Sequence, residues 1–258
     1  MLISSEAALK EFSSPDFRTG NAISTISVRK LWALIQVGQN KEAITEGKRL
    51  MNQLSPGSVQ WYRIGHYTLK AQIYSGNYSG AIETITEMIE NPKFQKLGDY
   101  FTEIFMAALG YIHLLVDSDI VDRTKIKNLE LPEFKLAKFL NTTPVFSKDK
   151  RGINVSILLM HIGFLLQRKE YGVIIDKIDS LNQYAYRYLR KDDSFRSNCM
   201  IKMVVQMAKA DFHPVRTERY TTDLRDQLGN VALSGSGDNI EIEIVPFEVL
   251  WQIMKSTL

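Results

Sequence analysis

The residues best equipped for chemistry in this chain are four histidines, one cysteine and a short basic stripe. His66, His113, His161 and His213 lie far apart along the chain, and none has a second ligand at helical spacing. A metal site built on helices needs i, i+4 pairs or a cysteine partner, so neither a metal nor a cofactor is expected. Cys199 is followed by Met200, Met203 and Val204 on a helical pattern. It reads as a small buried hydrophobe, and a single cysteine cannot form an internal disulfide. Gly235 and Gly237 lack the flanking strand and helix that would let a glycine loop hold phosphate. No spacing of Ser, Asp and His singles out a triad, so the chain is expected not to be an enzyme.

The stripe is more informative. Arg63, His66, Lys70 and Tyr74 follow one another at spacings of three, four and four, which puts them on one helical face. Three hydrogen-bond donors beside an aromatic ring would suit an acidic segment or a C-terminal carboxylate. Every amphipathic helix also needs a solvated polar face, and that is the plainer reading of the same four residues. The corresponding positions of neighbouring units, Val28, Trp32, Ile35 and Gln36 in one and Leu159, Gly163 and Leu166 in another, are mostly apolar. They leave open either a mixed groove with a basic middle or a buried interface.

A second basic region spans residues 185–226, where Arg187, Arg190, Lys191, Arg196, Lys202, Lys209, Arg216, Arg219 and Arg225 mix with tyrosines. The local excess over acidic residues is small and no nucleic-acid motif accompanies it, so a solvated helix surface is the expectation. The whole chain has a net charge of only +3, which implies neither a nucleic-acid nor a membrane partner.

The elements that must carry these residues are helices. Val37-Gly38-Gln39-Asn40-Lys41-Glu42-Ala43-Ile44 is echoed by Ser75-Gly76-Asn77-Tyr78-Ser79-Gly80-Ala81-Ile82, with the same interval between the glycines and between the Ala-Ile pairs. Each glycine closes an apolar helical stretch and each Ala-Ile opens the next. One helix pair cannot bury its apolar face alone, so a recurring pair predicts stacking into an α-solenoid. Pairs are expected over about 24–54 and 58–89, with Ser58 as an N-cap, and a long helix over about 98–116. A third pair is expected from 154, in which Lys169 replaces the turn glycine and Ile174 the alanine. Ile240–Val245 alternates like a strand but has no partner strand, so it is expected to lie extended on a helical surface. Pro246 then opens a final helix with Phe247, Leu250, Trp251 and Met254 on one face, a candidate cap for the array.

Gly76-Asn77-Tyr78 at a turn, Ala81, Ile82 and Pro92 at the end of the second helix resemble a tetratricopeptide repeat. Two positions depart from that family: Gln72 stands where an aromatic is usual, and Leu69 where a small residue is. The resemblance implies a right-handed solenoid of antiparallel helix pairs whose concave face binds extended peptides. On that basis residues 1–116 form N-terminal repeats, 117–151 an irregular connection, and 152–258 C-terminal repeats with a capping helix. The expected function is a non-enzymatic protein- or peptide-binding scaffold, using Arg63, His66, Lys70 and Tyr74 toward an acidic partner. A ligand- or peptide-sensing regulatory domain of a larger bacterial protein is the alternative, and an RNA-binding helical array the third. The apolar stretches Ile104–Val116 and Ile157–Leu166 are short and contain Gly and His, so no membrane span is expected. The first residues lack a basic segment followed by an apolar one, so no signal peptide is expected and the location is taken as cytoplasmic.

Overall fold

The computed structural model describes residues 20–143, 153–188, 195–233 and 243–258, together with the side chains of these residues except 20–24 and 184–188. The apolar piece around Ala7, Ala8 and Phe12, the loop Ser234–Asn239 and the basic residues Arg187, Arg190 and Lys191 are not among the described side chains. The fold is all-α: every regular element among the described residues is helical, and none is a strand. Contacts within the chain group it into two compact units, residues 20–105 with 124–133, and residues 106–123 with 134–258.

The first unit holds α1 (Gly20–Gln36), α2 (Asn40–Gln53), α3 (Val59–Tyr74) and α4 (Tyr78–Glu90). α3 is its centre, packing against α1, α2 and α4. Ser58 caps α3, its hydroxyl accepting from the Trp61 N–H at 3.2 Å, as the Ser-Pro-Gly-Ser breaker predicts. α2 and α3 approach closely because Gly47 leaves room for the Thr68 side chain, and α3 and α4 because Gly65 leaves room for the methyl end of Met88. Ala81 on α4 is fully buried. Residues 124–133 include all but the first residue of the single turn α6 (Arg123–Ile126), and Thr86 of α4 donates to the Glu130 carbonyl at 3.0 Å.

α5 (Asp99–Asp117) begins in the first unit and continues into the second, so the division of contacts falls inside a helix. By length and composition α5 could cross a membrane, contrary to the reading of its sequence as too short. Its apolar surface is instead mostly buried inside the protein, as in a core helix. The second unit also contains α7 (Leu136–Thr142), α8 (Ile153–Gln167), α9 (Tyr171–Tyr188), α10 (Phe195–Lys209), α11 (Pro214–Asn230) and α12 (Phe247–Ser256). α8 is apolar around almost its whole circumference and buried accordingly. Gly110 on α5 makes room for the Met160 sulfur, and Gly163 on α8 makes room for Leu114. The Tyr111 hydroxyl donates to the Ser156 carbonyl at 2.8 Å. Successive helices from α8 to α12 pack on one another, and α12 returns to α8 and α10.

The repeated turns share one hydrogen-bond pattern. Gly38 N–H bonds the Ile35 carbonyl and Gln39 N–H the Leu34 carbonyl, with Gly38 at φ +76°. Gly76 and Asn77 bond Ile73 and Gln72 in the same way, with Gly76 at φ +70°. After α8 the pattern recurs with Lys169 and Glu170 bonding Leu166 and Leu165, and Lys169 itself adopts φ +58°. This is a helix ending that selects glycine because a Cβ is strained in the left-handed region. The drifted third repeat therefore keeps the backbone and loses the residue suited to it. Lys169 is exposed, so Lys169→Gly is expected to stabilise the protein by about 1 kcal/mol, the relief of strain being partly offset by the freer unfolded chain. Urea unfolding of the two proteins measures it, and a loss of stability would mean that the turn does not hold this conformation.

The alternating segment is only partly described. Glu243, Ile244 and Val245 are neither strand nor helix, and all three are buried.

Candidate functional site

The stripe on α3 is not the solvated face that a polar pattern suggests. Lys70 is 5 % exposed, and Arg63, His66 and Tyr74 are half-buried. The Lys70 ammonium lies over the Tyr74 ring, 5.3 Å from its centroid, where the π face attracts a cation. The His66 ring stands edge-on to Tyr67 at 5.1 Å and to Phe105 at 6.1 Å. Its Nε2 is sealed from solvent and has no hydrogen-bond partner among the described residues. Burial depresses the His66 pKa to about 3, and the nearby Lys70 charge pushes in the same direction. At neutral pH the imidazole is uncharged, so the positive charge of this face comes from Arg63 and Lys70 alone.

α1, which packs on α3, adds the half-buried Trp32 and Gln36 beside the buried Val28 and Ile35. Trp32 Nε1 is also sealed without a partner among the described residues. In the second unit Leu159, Gly163 and Leu166 are buried core of α8, so at those positions the face is packed interior.

Gln72, where the family resemblance calls for an aromatic, is fully buried, and both amide atoms lack partners among the described residues. An unsatisfied buried amide costs roughly 1–3 kcal/mol on mutational scales. Gln72→Leu is therefore expected to raise the unfolding free energy by about 1 kcal/mol or more, read by chemical denaturation. A destabilised variant would mean that the amide has found a partner.

His66 also makes a pH prediction. Its folded pKa of about 3 lies below the ordinary histidine value of 6.5, so between those values the unfolded chain binds a proton that the folded chain refuses. Stability from the neutral ring is whole above pH 6.5 and falls as the pH drops toward 3, by at most about 1.4 kcal/mol per pH unit. His161 behaves alike, lowered to about 4 by burial and then by Lys177 and Arg168. His66→Phe, which keeps an aromatic edge against Tyr67 and Phe105, is expected to flatten the acid limb of the stability profile. An unchanged slope between pH 6.5 and 4.5 would refute it.

The other candidates separate. His113 stacks on Phe134, and His213 sits at the start of α11. No group of metal-ligating side chains exists among the described residues. Cys199 is buried, and burial raises its thiol pKa.

Arg196 departs most from the sequence reading, which placed it on a solvated basic surface. It is 7 % exposed and binds four acceptor groups, two carboxylates and two carbonyls, drawn from three chain segments. Nε and Nη2 donate to Glu243 at 3.0 and 2.7 Å, Nη2 to Glu248 at 2.8 and 2.9 Å, and Nη1 to the Leu228 and Val231 carbonyls, both at 2.8 Å. Burial alone would lower its pKa, but Glu243 and Glu248 outweigh that and raise it further above its ordinary value. Glu243 also accepts from the Phe247 N–H at 3.0 Å, holding the first turn of α12. The signal in the sequence was the unusual run of carboxylates between isoleucines, whose inward glutamate needs a cation.

These arrangements define a class of protein: an all-α chain of packed helix pairs with a half-buried basic and aromatic face on α3. Beyond that class, the chain matches no family model, no curated protein and no solved structure.

Proposed function

We propose that the chain is a non-enzymatic scaffold that binds a protein or peptide partner rich in acidic residues, through the face of α3 formed by Arg63, His66, Lys70 and Tyr74. In this reading the helix pairs form a right-handed, tetratricopeptide-like solenoid, and α12 caps it. The shared turn geometry at Gly38 and Gly76, and the packing of α1 on α3, support a repeating pair. The observation that carries the binding reading is the placement of Lys70, buried to 5 % exposure with its ammonium over Tyr74, on one helical face with the half-buried Arg63. A half-buried guanidinium such as that of Arg63, with the buried Lys70 ammonium on the same face, binds a carboxylate more strongly than a cation in open water.

The test uses a fluorescein-labelled decapeptide of alternating Glu and Leu and its Lys-Leu counterpart, followed by anisotropy. The acidic peptide is expected to bind, more weakly as salt rises, and Arg63→Glu is expected to abolish binding without lowering the melting temperature. Equal binding of both peptides, or of neither, would overturn the proposal.

A further inference from the structure

In the second unit, α11 and α12 run antiparallel. Glu218, near the start of α11, accepts from Lys255 near the end of α12 at 2.7 Å. At the opposite end, the Leu228 and Val231 carbonyls meet Arg196, which also holds Glu248 in the first turn of α12. Between the two helices lies an open cleft of about 580 Å³, within the size range of small-ligand sites.

The cleft has an apolar floor between two polar ends, one carrying cations and the other a carboxylate. Leu228 and Trp251 are the buried lining residues. At one end stand Arg225 and Lys255, which share the single carboxylate of Glu218. The mostly exposed Asp226 adds a looser contact to Arg225 at 3.4 Å. At the other end stand Asn230 and Glu248, and Glu248 remains 44 % exposed while sharing Arg196 with a second carboxylate. Gln252 lines the cleft between the two ends of α12. Gly229 leaves one wall bare among the described residues: a Cβ there would meet none of them within 4 Å. Its φ is not in the left-handed region, so a side chain there meets no backbone strain.

We propose that this cleft binds a short zwitterionic peptide of about three residues. The ligand's free amino group lies toward Glu248 and Asn230, its carboxylate toward Arg225 and Lys255, and its middle side chain on Trp251 and Leu228. The length follows from geometry. Glu248 and Lys255 are seven residues apart on a helix, about 10 Å of rise. An extended chain covers that distance in about three residues. The proposal does not depend on the α3 face, which lies in the other unit.

The experiment is calorimetric titration of the whole chain with the tripeptide Ala-Leu-Ala carrying free termini. Saturable binding is expected, weakened about tenfold or more by N-acetylation, and likewise by C-terminal amidation, since each removes a charged hydrogen bond. Gly229→Trp should fill the cleft and abolish the heat of binding at an unchanged melting temperature. Should that variant fold poorly, Lys255→Gln gives the second reading, with affinity for the free tripeptide reduced but affinity for the amidated form unaffected. No binding up to about 10 mM, where even the weakest specific ligand should register, overturns the proposal. So does binding that survives both blocked termini, or binding that a folded Gly229→Trp leaves intact. Binding of the decapeptide to the α3 face should be untouched by Gly229→Trp, which separates the failure of one site from the failure of the other.

Discussion

Trp251→Ala is expected to lower the unfolding free energy by about 3–5 kcal/mol, a third or more of the stability of an ordinary domain. Trp251 is 3 % exposed in a helix whose Phe247, Leu250, Ile253 and Met254 are also buried, against α8, α10 and α11. Truncation leaves a cavity where three helices meet, and the loss grows with the volume that the neighbours cannot refill. Trp251→Phe should be much milder than its lost area suggests. The indole Nε1 is buried without a partner among the described residues, and phenylalanine removes that unsatisfied donor. Deleting residues 246–258 should expose the same surfaces and cause aggregation. A variant with Trp32 and Trp61 changed to Phe isolates the signal. Blue-shifted, quencher-resistant emission that turns red only with global unfolding is the expected result. Red emission from the native monomer would show that α12 does not dock.

The helices were legible because their signals are local. The Ser-Pro-Gly-Ser breaker places the start of α3, and Gly38 and Gly76 place the ends of α1 and α3, each through the backbone of a few adjacent residues. The apolar face of α12 was equally plain from its spacing, and burial of Trp251 follows from it. What the sequence hides is which polar residues a neighbouring element will cover. Lys70 and Arg196 look like surface cations, because hydrophobic periodicity assigns a charge to the outside by default. Arg196 is buried by carboxylates distant in sequence, beyond α11, and Lys70 is buried on α3 with its ammonium over Tyr74 of the same helix. The division of contacts inside α5 was hidden for a related reason, since a helix reads as one element whatever packs on its two halves.

Arg196→Ala should rival the loss of Trp251 although it removes little apolar surface. Breaking a buried ion pair by deleting one partner costs about 3–5 kcal/mol, because the remaining charge stays buried without compensation. Here Glu243, 6 % exposed, would lose a two-pronged partner, and the Leu228 and Val231 carbonyls would lose a donor at the end of α11. Arg196→Lys should rescue only part of this. A single ammonium cannot serve two carboxylates and two carbonyls in the planar geometry that the guanidinium supplies. Pairing Arg196→Met with Glu243→Leu should destabilise less than the sum of the single changes, with a coupling of about 1–3 kcal/mol. High salt should leave the wild-type contact largely intact, since screening acts on exposed charges far more than on buried ones. The network fastens α12 at its first turn and Trp251 lies one turn further on, so the same fluorescence signal reports both. In Arg196→Ala the Trp251 emission should shift red at a denaturant concentration below that which unfolds α8 and α10. A loss under about 1 kcal/mol, or strict additivity in the double mutant, would reduce Arg196 to an incidental contact and leave the docking of α12 to its apolar face alone.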